Sequence, residues 1–273
     1  MFKKVAFIGA GSMAEAIIAG LAKEESLVKK ENIVATNHSN AERLQELQDT
    51  YGISTEMDKE TVIRDADILV LSMKPKDLVE AVMDIKAYVQ KDQVVVSVIA
   101  GASCEHIATL FSKKLPVIRT MPNTSAMIGY SATALSKGAH ATEAQLQDAV
   151  KLFETIGSTV VVEEAEMHGV TSISGSGPAY FYFMVEAMEQ AAKEVGLRAD
   201  IAKDLIIQTI VGAGQMLKET GEDPGVLRKN ITSPGGTTQA GIETLAKEHF
   251  QEAIRKCVRS AHDRSVEMEQ ENK

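Results

Sequence analysis

Near the start of the chain, Gly9-Ala10-Gly11-Ser12-Met13-Ala14 has the composition of a diphosphate cradle. Gly9 permits a tight turn, Gly11 lets the backbone approach a pyrophosphate, and the small Ala14 lets a helix pack closely on a strand. A helix beginning here would aim free N–H groups and the positive end of its dipole at the phosphates. The pattern GxGxxA is weak alone. It gains meaning from its place between the apolar run Val5-Ala6-Phe7-Ile8 and a helical stripe of Met13, Ile17, Ile18 and Leu21, which together read as the opening of a dinucleotide-binding βαβ unit. The end of the second strand selects the dinucleotide. Ile33-Val34-Ala35 runs into Thr36-Asn37-His38-Ser39, with no Asp or Glu to hold a ribose 2′-hydroxyl and repel a 2′-phosphate. Four groups able to donate hydrogen bonds stand there instead. The expected cofactor is NADP, with NADPH preferred and NADH a second possibility.

Two later segments are dense in Gly, Ser, Thr and Pro: Ser174-Gly175-Ser176-Gly177-Pro178-Ala179-Tyr180 and Ser233-Pro234-Gly235-Gly236-Thr237-Thr238. Both lead into helical patterns. The second offers helix N-terminal amides with three hydroxyls and no side-chain charge, which suits a small carboxylate held by dipoles. An ordinary capped helix start would use the same residues, and the residues alone leave both readings open. In the first segment, Ser176 is a candidate polar contact for a substrate, whereas Tyr180, at the start of an apolar helix, reads as packing. Cys104 and Cys257 lie far apart with no CxxC, so Cys104 reads as a small buried hydrophobe and the compartment as reducing. The six histidines are scattered without ligand spacing, and no metal is expected.

The elements that must position these groups alternate in the first half. Val5–Ile8, Ile33–Ala35, Ile68–Leu71, Val94–Val98 and Val117–Ile118 are short apolar runs, with stripes such as Leu78, Val82 and Ile85 between them. Runs apolar on both faces predict strands buried in a parallel sheet, and strand–helix repetition predicts a doubly wound one. A helix from Thr142 and a strand near Thr159–Val162 complete this half. Beyond residue 165 no strand pattern appears. Ser176 caps a helix over Ala179–Val195 closed by Gly196, a second runs over Asp200–Thr220 to Gly221, and two or three shorter helices lead to a charged, frayed tail from Glu267. The fold class is therefore α/β, a Rossmann-like doubly wound sheet over 1–165 followed by an all-α dimerisation domain over 166–273. The dimer is inferred from Ala179–Val185 and Ile206–Val211, which are too apolar all round to be covered by one small helical domain; packing back onto the Rossmann sheet is the alternative cover. Gly212 and Gly214 read as close-approach points between helices. With 44% hydrophobic and 25% charged residues the chain is globular. A net charge of −9 gives a nucleic-acid role no support. The uncharged stretch Thr120–Ser136 contains Pro122 and several hydroxyls and cannot span a membrane. Glu15 interrupts any leader-like run at the start, so a cytoplasmic location is expected.

The segment Asn230-Ile231-Thr232-Ser233-Pro234-Gly235-Gly236-Thr237-Thr238-Gln239-Ala240-Gly241 resembles the signature of pyrroline-5-carboxylate reductases. Gly9–Ala14, Met73-Lys74-Pro75 and Ser174–Tyr180 match the same family in order, so the resemblance spans nearly the whole chain. It implies reduction of the cyclic imine 1-pyrroline-5-carboxylate to L-proline with hydride from NAD(P)H. It also implies a homodimer through interlocking C-terminal helices, which many members assemble into decamers of five dimers. Carried onto this sequence, Ser233, Gly235, Gly236, Thr237 and Thr238 would hold the substrate carboxylate, with Thr238 also reaching the ring nitrogen as the catalytic residue. Met73, Lys74, Pro75, Ala100 and Gly101 would line the nicotinamide side, and Asn230 would neighbour the cofactor. Family members often carry a basic residue where His38 stands, a departure that bears on NADP preference.

Two rival readings fit less well. A β-hydroxyacid dehydrogenase shares the plan but needs a catalytic lysine on the long helix, where Lys193 alone stands, near the far end. A non-catalytic NADP-sensing regulator would not need the Ser-Pro-Gly-Gly-Thr-Thr turn.

Overall fold

The structure, a computed structural model, describes residues 1–272. The chain forms two compact units, Met1–Pro178 together with the segment that begins at Ala261, and Ala179–Ser260. This partition places residues 166–178 and the chain's end with the sheet, where a single break at 165 was expected.

The first unit is built on one eight-stranded sheet of order β3-β2-β1-β4-β5-β6-β7-β8. Its strands are β1 (Val5–Ile8), β2 (Ile33–Thr36), β3 (Ser54–Thr55), β4 (Ile68–Leu71), β5 (Val94–Ser97), β6 (Val117–Met121), β7 (Ser131–Lys137) and β8 (Gly157–Val161). The first six are mutually parallel; β7 pairs antiparallel with β6, and β8 runs parallel to β7. Alternate residues of β1 enter opposite layers. Val5 and Phe7 pack with α1 (Ser12–Leu21), α2 (Ala41–Tyr51) and α6 (Glu143–Glu154). Ala6 and Ile8 pack with α3 (Lys59–Ile63), α4 (Leu78–Ile85) and α5 (Cys104–Phe111). Burial on both faces is why these strands are written as unbroken apolar runs. Phe7 is fully buried, and its loss to Ala is expected to cost about 3–5 kcal/mol.

Strand order reverses across β1, since β2 lies on one side of it and β4 on the other. Connections from the two strands leave toward opposite faces, opening a crevice at the carboxyl ends where ligands of such sheets bind.

Strand β7 lacks the apolar signal because, apart from Leu135, its buried positions are filled by small and hydroxylic residues. Ser131 and Thr133 are both buried and bond to each other through their hydroxyls at 2.8 Å.

The Ser176 cap is corrected by the structure. Ser176 lies in helical conformation, and the chain runs from α7 (Met167–Val170) through a π-helical turn (Thr171–Gly175) into α8 (Gly177–Glu194). The hydroxyls here serve the helix from within: Thr171 donates to the Met167 carbonyl at 2.8 Å, Ser172 to Gly169 at 2.8 Å and Ser174 to Val170 at 3.2 Å. No cap is needed because the backbone continues from α7 and supplies the acceptors, the Ser176 amide donating to the Thr171 carbonyl at 2.9 Å.

The second unit is helical. It comprises most of α8, α9 (Ala199–Thr220, closed by Gly221 at φ +64), α10 (Pro224–Asn230), α11 (Thr237–Lys247) and the first half of α12 (Phe250–Glu271). Instead of a short final helix with a frayed tail, α12 is 22 residues long and helical to Glu271. Phe181, Phe183 and Val211 are 56%, 75% and 57% exposed in the single chain, apolar surface that water disfavours. Beyond its chain neighbours and the backbone of its own helix, no described atom comes within 4 Å of a Cβ added at Gly212 or Gly214, so the expected close approach to another helix is not seen within one chain. Among the described residues no helix is long and apolar enough to cross a membrane.

Candidate functional site

The glycine turn is stitched to both neighbouring strands. Gly9 N–H donates to the Thr36 carbonyl at 2.9 Å, and Ser72 Oγ donates to the Gly9 carbonyl at 3.0 Å. Gly9 has φ +110, and a Cβ there would meet the Ser72 carbonyl oxygen at 2.8 Å, so both conformation and space require glycine. Gly11 is different. It is exposed, has extended φ −77, and nothing lies within 4 Å of its added Cβ. It caps α1 without a side chain, so the amides of Ser12, Met13 and Ala14 have no partner within the helix. Ala10 and Ala14 are buried beneath the turn. This is an open cradle of free N–H groups at a helix N-terminus, and it fits a diphosphate.

Arg43, on α2, was not singled out from the sequence, because its target is backbone. Its Nε donates to the Ala10 carbonyl at 3.0 Å, and its guanidinium pairs with Glu15 and, at 3.1 Å, with Glu46. Tyr51 donates its hydroxyl to Glu15 at 3.0 Å. The Arg43 hydrogen bond holds the Glu15 carboxyl below its ordinary range, against the opposing effect of burial and with a smaller contribution from Tyr51.

Beside the turn lies a cavity of about 370 Å³ whose walls include Ile8, Gly9, Thr36, Asn37, His38 and Met73. Thr36 Oγ1 is buried there with no hydrogen-bond partner. Such an orphan is costly unless a ligand or water completes it. Asn37 is committed elsewhere: its amide donates to the Asn40 carbonyl at 2.6 Å and accepts from the Asn40 amide at 2.8 Å, shaping the entry to α2. His38 and Ser39 are exposed. The far wall adds Lys59, Asp77, Glu80 and Asp84, which sequence order hides because they come from α3, from α4 and from the turn just before α4.

Met73, Lys74 and Pro75 follow β4. Lys74 is exposed and extended (ψ 150), the conformation favoured before proline. Ala100 and Gly101 follow β5, with Gly101 at φ +69. The cradle, Thr36–Ser39, Met73–Pro75 and Ala100–Gly101 thus gather at the carboxyl ends of β1, β2, β4 and β5. Ser176 is half-buried just after the π-helical turn, which is tied to the end of β6 by Asn123 Nδ2 donating to the Ser174 carbonyl at 3.1 Å. Cys104 is buried, and burial followed by the nearby Glu164 charge pushes its thiol up to about 12, so it is no nucleophile.

In the second unit, Asn230 ends α10, and Ser233–Gly236 form the turn before α11. Gly235 has φ +71, which explains a glycine there. Gln239 Oε1 accepts from the Gly235 amide at 2.7 Å, and the Gly236 amide donates to the Ser233 carbonyl at 3.0 Å. Gly236 caps α11 without a side chain. Ser233, Thr237 and Thr238 are exposed, and among the described residues no protein group bonds to their hydroxyls. A second uncapped helix start therefore presents amides and free hydroxyls together, the donor set a small carboxylate needs.

A family profile for pyrroline-5-carboxylate reductase dimerisation matches residues 164–268. A profile for coenzyme F420-dependent NADP oxidoreductases matches residues 4–101. The chain is 48% identical to pyrroline-5-carboxylate reductase 2 of Bacillus subtilis (strain 168), over 98% of this chain and 96% of that one. It is 36% identical to a pyrroline-5-carboxylate reductase of Arabidopsis thaliana, over 98% and 96% of the two chains. Among solved structures, a pyrroline-5-carboxylate reductase from Coxiella burnetii is similar with a TM-score of 0.90 at 30% identity, covering 97% of this chain and 98% of that one. The Plasmodium falciparum pyrroline carboxylate reductase with NADP bound is similar with a TM-score of 0.87 at 26% identity, covering 98% of each chain.

Proposed function

The chain belongs to the pyrroline-5-carboxylate reductase family, and from that premise we propose that it reduces 1-pyrroline-5-carboxylate to L-proline with NADPH as hydride donor. The observation that carries the reading is a pair of uncapped helix starts: one at Gly11, bare and open, and one at Gly236, set about with unpartnered hydroxyls. The first suits a diphosphate and the second a small uncharged-site carboxylate.

The amides of Ser12, Met13 and Ala14 hold the diphosphate, and the cavity at the end of β2 takes the adenosine side. Met73–Pro75 and Ala100–Gly101 keep the nicotinamide side in place. Ser233, Gly235, Gly236, Thr237 and Thr238 hold the substrate carboxylate, and Thr238 Oγ1 orients the ring nitrogen. When bound, the cofactor supplies a hydride from its nicotinamide ring to the imine carbon. A protonated imine is already electrophilic, so the residues' work is alignment more than proton transfer. Lys193, the residue a β-hydroxyacid dehydrogenase would need, stands exposed in the last turn of α8, which does not favour that reading.

The exposed Phe181, Phe183 and Val211 support a homodimer through the C-terminal helices, and five such dimers would make the decamer of many relatives. A cytoplasmic location completes the proposal. The test is NADPH consumption, followed by absorbance, on adding pyrroline-5-carboxylate, with proline identified as product. Absence of oxidation with this substrate would overturn the reading.

A further inference from the structure

The cavity at the end of β2 carries both signs of charge. Lys59 enters from the start of α3, where Asp58 caps the helix by accepting from the Thr61 amide at 3.1 Å. Its ammonium meets Asp84 at 2.6 Å. His38 Nε2 lies 3.7 Å from Glu80 Oε1. Each cationic or potentially cationic side chain in the wall is thus already faced by a carboxylate of α4, and Glu80 and Asp84, four residues apart, share one side of that helix. Asp77, the third carboxylate of the wall, makes no ion pair among the described residues.

Resting on the reading that the dinucleotide's adenosine end occupies this cavity, we propose that Glu80 and Asp84 are specificity-determining residues which compete with a ribose 2′-phosphate for His38 and Lys59 and so restrain the preference for NADPH over NADH. The physical reason is an asymmetry between the two cofactors. A 2′-phosphate brings close to two negative charges and must displace the carboxylates from their cations. A 2′-hydroxyl is a donor that carboxylates accept. The cations favour one cofactor, and the acidic side of α4 favours the other.

The experiment measures dissociation constants of NADPH and of NADH, by nicotinamide fluorescence, on the full-length wild type and on Glu80→Gln, Asp84→Asn and Lys59→Gln. Removing either carboxylate raises the ratio of NADH to NADPH dissociation constants roughly three- to tenfold, the effect of one partly screened charge. Lys59→Gln lowers it by a similar factor. Both effects shrink as salt is raised. Glu80→Gln keeps the test sound if Asp84→Asn disturbs α3, since among the described residues the 3.7 Å approach to His38 is Glu80's one ion-pair contact. A ratio unchanged in Glu80→Gln and Lys59→Gln, with both dinucleotides still bound, overturns this inference and leaves the proposed function standing. A wild type that binds neither dinucleotide overturns both.

Discussion

Asn272, just past the end of α12, donates from Nδ2 to the carbonyl of Gly101 at 3.0 Å, so the C-terminal segment holds the turn that follows β5. A Cβ on Gly101 would lie 3.2 Å from Met268 and from Asn272, and the residue's φ is +69. The same segment is anchored a turn earlier. Arg119, 4% exposed on β6, bridges Glu164 at 3.4 Å and Glu269 at 3.1 Å, and Glu269 also lies 3.3 Å from His168. The expected outcome is a graded one. Asn272→Ala removes one hydrogen bond, worth about 1 kcal/mol, so the thermal midpoint falls by only about 2–4 °C while KM for NADPH rises a few-fold. Arg119→Ala leaves two carboxylates facing each other in a part-buried site and costs about 3 kcal/mol by denaturant unfolding. An Asn272→Ala enzyme with wild-type KM would mean the segment is a structural clamp only.

The two glycines of the cradle make opposite predictions about folding. Gly9→Ala forces a Cβ to 2.8 Å from the Ser72 carbonyl oxygen at φ +110, so the protein loses roughly 2–4 kcal/mol of stability as well as its dinucleotide binding. Gly11→Ala meets nothing within 4 Å in the free protein. Its unfolding curve moves by no more than about 1 kcal/mol, because alanine is a poorer N-cap than glycine but restricts the unfolded chain, while the added methyl would stand where a pyrophosphate approaches the backbone. NADPH affinity drops by at least about tenfold, an expectation from crowding a close backbone contact. Calorimetry of unfolding and of NADPH binding on the two variants separates the cases. Equal stability losses would show that Gly11 is needed for the turn itself.

Most of the sheet was legible because its strands are buried on both faces, which removes any need for polar residues in Val5–Ile8 or Ile68–Leu71. Strand β7 was not, since it fills buried positions with hydroxyls that satisfy one another, and β3 was not, being two residues long. The cradle could be read from types alone: a glycine turn has few chemical substitutes. Arg43 could not, because a donor that braces a backbone carbonyl leaves no pattern in sequence. Lys59, Glu80 and Asp84 meet only once α3 and α4 have folded over one end of the sheet. Ser176 looked like a cap because Ser before Gly-Pro usually is one. The backbone of α7 and the π-helical turn already supplies acceptors for the amides that a cap would serve.

Thr238 separates a catalytic contact from a helix start. It stands exposed in the first turn of α11 with its hydroxyl unbonded, so Thr238→Ala leaves folding unchanged, or slightly improves it through better helix propensity. The predicted loss is instead in kcat/KM, roughly ten- to a thousandfold for a missing orienting hydrogen bond. Thr238→Ser restores much of it by returning the hydroxyl. Steady-state kinetics on the two variants checks this, and full turnover by the alanine variant would leave Thr238 with no part in the chemistry.

Acid should loosen the cradle through one identifiable pair. Glu15 sits in the first turn of α1, and the Arg43 hydrogen bond holds its carboxyl below the ordinary glutamate value of about 4.3. A carboxyl depressed by folding adds stability that is fully present above its unfolded value and is lost as pH falls through the folded one. Between neutral pH and the ordinary glutamate value the brace is therefore intact. Below that value protonation of Glu15 opposes its pairing with Arg43, and Arg43 is also the donor that fixes the Ala10 carbonyl. In Glu15→Gln this linkage is absent: the variant is less stable than wild type near neutrality, and the gap narrows as the medium is made more acid. Tyr51→Phe removes only the lesser hydrogen bond to the same carboxyl, so its pH profile stays close to wild type. Thermal midpoints recorded for the three proteins from about pH 7 to about pH 3 measure the difference directly. Parallel profiles for wild type and Glu15→Gln would mean that the brace contributes nothing that protonation can take away.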